Sequence, residues 1–138
     1  MTGLNAAFVD VGYEKDAFLH YLDLGPQANS LIKYVNQAQG GKQNVSNLMY
    51  FKNEPEIKKD GKINEVIKSG QNVLVQVAKE PISAKGPRIT TEISLAGRYL
   101  VLIPFSDKIS VSSKIRNFDE KKRLKDLMQT IKPKNFGV

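Results

Sequence analysis

Residues 5–22 read NAAFVDVGYEKDAFLHYL. Successive side chains of a strand point to opposite faces. Over Asn5–Val11, Ala7, Val9 and Val11 take one face, and Ala6, Phe8 and Asp10 take the other. Residues 12–14, GYE, make a turn. Over Lys15–Tyr21, Ala17, Leu19 and Tyr21 stand opposed to Phe18 and His20. Two alternating runs joined by a glycine turn predict a hairpin with an apolar inner face. Asn72–Lys79 and Arg88–Leu95 alternate in the same way, with Val73, Val75 and Val77, then Ile89, Thr91 and Ile93, facing inward.

The segments between and beyond these strands differ in character. Gly25 and Pro26 break the second strand, and Ser30 is placed to cap a short helix over Leu31–Gln39 that ends at Gly40-Gly41. Residues 42–70 are polar and include the charged tract KNEPEIKKDGK, so about 26–66 reads as a long surface insertion. RYLVLIP, residues 98–104, is nearly continuous in apolar side chains and suits a strand covered on both faces. KISVSSKI, residues 108–115, reads as a weaker strand. DEKKRLKDLMQTI, residues 119–131, has Leu124, Leu127, Met128 and Ile131 at helical spacing, with Asp119 to cap it and Pro133 to stop it. NFGV then starts another strand.

Of 138 residues, 41% are apolar, which supports a core and argues against wholesale disorder. No cysteine is present, which excludes disulfides and thiolate metal sites and suits a reducing cytoplasm. No apolar run approaches the ~20 residues of a membrane span, and no secretory signal opens the chain. The formal net charge is +7. It is unevenly spread: residues 1–24 carry one Lys against four acids, whereas residues 99–138 carry nine Lys/Arg against four acids. A basic balance points to a polyanionic partner, and equally describes an ordinary basic surface.

Two aromatics on adjacent strands sharpen that choice. A phenylalanine on a strand usually belongs to the core. Phe8 and Phe18, however, each stand opposite Ala, Val or Leu side chains that fill a core without them. On an outer face they make a stacking platform for unpaired bases, worth ~1–3 kcal/mol per base. His20 shares the face of Phe18 and can stack or donate a hydrogen bond. Lys85 and Arg88 can neutralise phosphates. Other chemistry is thin: one His and no Cys exclude a conventional zinc site, and no Gly-Lys-Ser/Thr loop is present. Asp10, Asp16 and Asp23 could meet Mg²⁺ in principle, but isolated strand acids are ordinarily solvated. The strand set fits a mainly β chain, an OB-type Greek-key barrel with a small α/β appendage.

LNAAFVDVG and AFLH, taken with VLVQVAKE and KGPRITTEISLAGRYLVLIP, closely resemble the ribonuclease E/G family of bacterial endoribonucleases. In that family, an OB-fold RNA-binding domain of the S-one type is inserted into a ribonuclease H-like subdomain. A 5′-sensing region follows, then a nuclease subdomain whose two acids hold Mg²⁺, and a CPxC zinc link between subunits. The resemblance implies an S-one-type domain over 1–95 and a partial 5′ sensor over 96–138. It implies single-stranded RNA as the partner, without a membrane, in the processing of ribosomal and other RNA. Phe8, Phe18 and Lys85 match positions that contact RNA, and His20 matches a residue common on that face. Gly97 and Val101 match the wall of the 5′-phosphate pocket. The family carries two bases after the Ser of its I-S-R-R/K segment; Ser113 replaces one here and Lys114 keeps the other.

Three further expectations come from the resemblance. A strand of the type G-x-V-x-x-I-x-P-G should precede LNAAFVDVG, so the barrel lacks its first strand through a misplaced start or a chosen boundary. The Mg²⁺-binding acids, the CPxC motif and the Arg-Thr of the 5′ sensor would fall beyond Val138. The 138 residues would then be an RNA-binding portion without catalytic residues or cofactors, Mg and Zn belonging to the parent. An open barrel edge would favour a homodimer, a strand-swapped oligomer, or a segment of the insertion filling the gap. The rival reading is a stand-alone RNA- or protein-binding regulatory module.

Overall fold

The computed structural model describes residues 2–42 and 47–138. The chain divides into two compact units, Met1–Asn44 with Glu54–Ile93, and Val45–Asn53 with Ser94–Val138. In the first unit the expected hairpin forms. Strands β1 (Ala6–Val9) and β2 (Ala17–His20) pair antiparallel, with Phe8 opposite Phe18. Two more strands, β3 (Gln76–Lys79) and β4 (Arg88–Thr90), complete a sheet of order β1-β2-β4-β3, in which β2 and β4 run parallel. All four strands are shorter than the alternation suggests. Beyond Thr90, for example, the chain leaves the ladder because the Thr91 N–H donates to the Asp23 carbonyl instead.

The inner face is the expected one for β2 and β4. Ala17, Leu19, Tyr21 and Ile89 are buried, together with Leu24, Ala28 and Ile63. Ala7, Val9 and Val75 pack against this cluster, while Val77 is exposed. Ala28 and Ile63 correct the reading of 26–66 as surface. Helix α1 (Ala28–Gln39) begins before Ser30, which is therefore no cap. Ser30 is buried inside the helix, where its hydroxyl accepts from the Glu54 N–H at 2.9 Å. Helix α2 (Ile63–Val66) sends Ile63 into the core, and Asn5 holds it there by accepting from the Ile63 N–H at 2.8 Å and donating to the Gly61 carbonyl at 3.0 Å. A helix and a turn from the supposed insertion thus close the core that a four-stranded sheet leaves open on one face. Residues 43–46 of that segment lie outside the described residues.

The second unit holds a sheet of order β5-β6-β7, formed by β5 (Leu95–Ala96), β6 (Val101–Pro104) and β7 (Phe136–Gly137), with helix α3 (Phe118–Ile131) between the last two. The strand expected at NFGV is β7. Residues 98–104 are not covered on both faces: they form a turn and β6, with Tyr99 87% exposed. Residues 108–115 form no strand. Their backbone reaches Val138 through only two hydrogen bonds, Ser110 N–H to the Val138 carbonyl and Val138 N–H to the Lys108 carbonyl. The cap of α3 is Asn117 rather than Asp119, its side chain accepting from the Glu120 N–H at 3.0 Å. Leu48 and Phe51 supply buried apolar side chains here, with the rings of Phe51 and Phe105 5.1 Å apart. Buried Asn135 donates to the carbonyls of both Leu48 and Phe51 at 2.8 Å.

The chain is mainly β with a small α/β part, two sheets and few helices. Both sheets are open: among the described residues no pairing closes a barrel. β1 remains an edge strand. Residues 60–73 stand across a groove of about 1110 Å³ from it instead of pairing with it.

Candidate functional site

The sheet register assembles the site. Phe8 lies opposite Phe18, Phe18 is in register with Arg88, and Arg88 is in register with Lys79. One row across β1, β2 and β4 thus carries two aromatics and a base on the face away from the core, and at β3 the register shifts between Val77 and Lys79. Phe8 is 56% exposed, and its ring meets that of Phe18 edge-on, with centroids 6.0 Å apart. His20, two residues along β2, brings its ring within 6.4 Å of Phe18. Its Nδ1 accepts from the Leu22 N–H at 3.1 Å, which orients the ring. Paired rings on an exposed sheet face offer flat apolar area with little side-chain freedom left to lose.

A turn beside the row is held by backbone. The Phe18 N–H donates to the Pro87 carbonyl at 2.9 Å, and Lys15 Nζ reaches the Ala84 carbonyl at 2.7 Å. Gly86 sits against the chain at Asp16, where an added Cβ would fall on the Asp16 carbonyl oxygen. The KGP turn is thereby fixed beside β2, with Lys85 exposed on it. Arg88 differs from Lys85. Its Nε and Nη2 donate to the two carboxylate oxygens of Asp23 at 3.0 Å each. Those hydrogen bonds, and then the carboxylate charge, raise the Arg88 pKa above its ordinary value. As a phosphate neutraliser Arg88 is therefore already matched by an acid. The pairing of Asp23 with Arg88 was not readable in the sequence, because partners 65 residues apart leave no local signal.

The second unit places its candidate residues on a turn and a loop. Gly97 donates its N–H to the Leu100 carbonyl at 2.8 Å, closing the turn between β5 and β6. Val101 pairs with Ala96 and is exposed. Lys114 lies in the irregular stretch before α3, its N–H turned back to Ser112 Oγ at 3.3 Å. Gly97 and Val101 are thus neighbours across one turn, and no hydrogen bond or ion pair among the described residues joins Lys114 to them. No group of three or more His, Cys, Asp or Glu that could hold a metal ion stands together among the described residues. No helix there is long and apolar enough to cross a membrane.

Comparison with known proteins agrees with the motifs on this scaffold. Residues 94–138 match the Ribonuclease E/G family. Over 99% of its length the chain is 38% identical to the Ribonuclease E/G-like protein of Porphyra purpurea, of which the match covers 22%. It is 35% identical to Ribonuclease G of Haemophilus influenzae over 94% of this chain and 22% of that protein. With Ribonuclease E of Synechocystis sp. the identity is 34%, over 100% of this chain and 17% of that protein. Over nearly its whole length the chain is thus similar to proteins of the ribonuclease E/G family. It spans about a fifth of the length of these relatives, at 17% to 22%.

Proposed function

We propose that this chain binds single-stranded RNA through the outer face of the β1-β2-β4 sheet. It would be the RNA-binding portion of a ribonuclease G-like endoribonuclease that processes ribosomal and other RNA in the cytoplasm. The observation that carries the reading is the in-register, edge-on pair Phe8 and Phe18 on an exposed sheet face, with His20 beside it. Exposed aromatic side chains cost solvation free energy, and stacking with unpaired bases offsets it without demanding a particular base. Lys85, on its tethered turn, supplies charge to the backbone. The OB-type relation of the first unit and its S-one character are part of this proposal. So is a partial 5′-end site built on Gly97, Val101 and Lys114.

Cleavage is assigned to no residue of this chain. Mg²⁺ and structural Zn belong, on this reading, to the longer parent. The test is a titration of the isotopically labelled protein with a single-stranded oligoribonucleotide, followed by NMR. Shifts concentrated on Ala6–Val9 and Ala17–His20 are expected. Shifts confined to the basic helix α3 would overturn the reading in favour of unspecific charge attraction.

A further inference from the structure

We propose that Asp23 is a positioning residue that commits Arg88 to an unpaired base rather than to a phosphate, as the third flat member of the Phe8–Phe18 row. The inference rests on the RNA-binding reading above and goes beyond it. Three observations carry it. Arg88 is in sheet register with Phe18, which is itself in register with Phe8. Adjacent strands are ~4.8 Å apart, so the row from Phe8 to Arg88 spans about 10 Å of one face. Second, Asp23 takes Nε and Nη2 of Arg88 in a two-point clamp, both at 3.0 Å. Nη1 and the guanidinium plane are left over, and the Arg88 side chain remains 46% exposed against 19% for that of Asp23. Third, Asp23 is itself built in: its carbonyl accepts from Thr90 Oγ1 at 2.6 Å and from the Thr91 N–H at 3.1 Å. Its position is thus set by the Thr90 hydroxyl and the Thr91 N–H, at the end of the strand that carries Arg88.

The chemistry follows from the pairing. An arginine whose charge is met by a carboxylate adds almost no net charge to the face, so it releases few counterions when a phosphate approaches. What it still offers is a planar surface for stacking and one outward edge of donors for a base acceptor. A lysine, a point charge without a plane, cannot replace it. Lys85, which is exposed and unclamped, is the opposite case and acts on phosphate. The row therefore separates its roles: Phe8, Phe18 and Arg88 meet bases, and Lys85 meets the backbone.

The experiment compares two probes on the 138-residue chain: a single-stranded oligoribonucleotide of mixed sequence, and an abasic ribose-phosphate oligomer of the same length. Affinities are measured over a salt series for the parent, Phe8→Ala, Lys85→Ala, Arg88→Lys, Asp23→Asn and Asp23→Glu, each checked for native circular dichroism. Arg88→Lys should weaken RNA binding about fivefold or more, leave the abasic probe unaffected, and leave the salt slope unchanged. Lys85→Ala should weaken both probes and lower the slope by about 0.7. Asp23→Asn should weaken RNA as Arg88→Lys does, yet steepen the slope, because it frees the Arg88 charge; Asp23→Glu should restore RNA affinity. A merely structural role for Asp23 would weaken both probes alike without steepening the slope, and would overturn the proposal. So would an Arg88→Lys variant that binds RNA like the parent or loses slope as Lys85→Ala does; this variant decides the matter even if those at Asp23 fail to fold. If Phe8→Ala also binds like the parent, the RNA-binding reading itself fails, and the inference with it.

Discussion

Gly86 shows how one residue without a side chain supports the site. Its Cα faces the Asp16 carbonyl across a gap that a methyl group cannot enter, and that carbonyl belongs to the backbone entering β2. The neighbour therefore has no flexible end to move aside. Gly86→Ala is expected to destabilise the protein by about 1–3 kcal/mol, as overpacking does, measured by urea denaturation. Unchanged stability would mean that the turn carrying Lys85 is not clamped to β2. Ser30 acts within helix α1 of the same unit. It is fully buried, and its hydroxyl accepts the Glu54 N–H. Ser30→Ala leaves that donor without its partner and should cost about 1–3 kcal/mol. Glycine at 86 is printed in the KGP motif, but the reason for it is not: the atom that excludes a side chain lies 70 residues earlier.

Helix α3 is set by its ends more than by its packing, since none of its residues is buried. Asn117 supplies the cap, so Asn117→Ala should lower stability by ~1 kcal/mol, read from the thermal melt. Glu120 and Arg123, one turn apart, form a two-point pair at 2.7 and 2.8 Å. The hydrogen bonds from Arg123 hold the Glu120 carboxyl below its ordinary pKa. A depressed carboxyl contributes stability above its unfolded pKa of ~4.3, lost as pH falls through the lower folded value. The helix signal by circular dichroism should therefore fall on acidification by more in the parent than in Glu120→Gln. An equal fall in both would show that the pair does not persist in solution. This helix was legible in the sequence because Leu124, Leu127, Met128 and Ile131 keep helical spacing and Pro133 ends it. Its cap was misread by two residues, since Asn117 and Asp119 are both competent caps and only the backbone entry angle chooses between them. KISVSSKI failed for a different reason: an apolar alternation makes a strand only where a partner edge runs beside it, and here the chain meets Val138 at a single point.

Over the whole chain, the hairpin and the faces of its second strand were readable because alternation reports the pleat directly; in the first strand Ala6, read as outward, is buried, and Val11, read as inward, is exposed. The long crossing contacts were not: Leu48 and Phe51 reach the core of the second unit, and Ile63 that of the first, from a stretch whose composition reads as surface. The same limit hid the pairing of Asp23 with Arg88. Charge is also a property of the whole molecule. A net +7 predicts RNA affinity that falls as salt rises, but a basic surface alone would do the same. No Mg²⁺-dependent cleavage of RNA by the chain alone is expected; turnover that persists on repurification and disappears in Asp10→Asn or Asp16→Asn would contradict the assignment of cleavage elsewhere. The most direct test of the central claim separates stacking from charge. Single-stranded RNA is titrated by fluorescence anisotropy with the parent, Phe8→Ala and Phe18→Ala across a salt series. Each substitution removes a ring and no charge, so each should cost ~1–3 kcal/mol of binding with the salt dependence unchanged. Variants that fold and bind like the parent at every salt concentration would show that the aromatic face of β1 and β2 is not an RNA-binding surface.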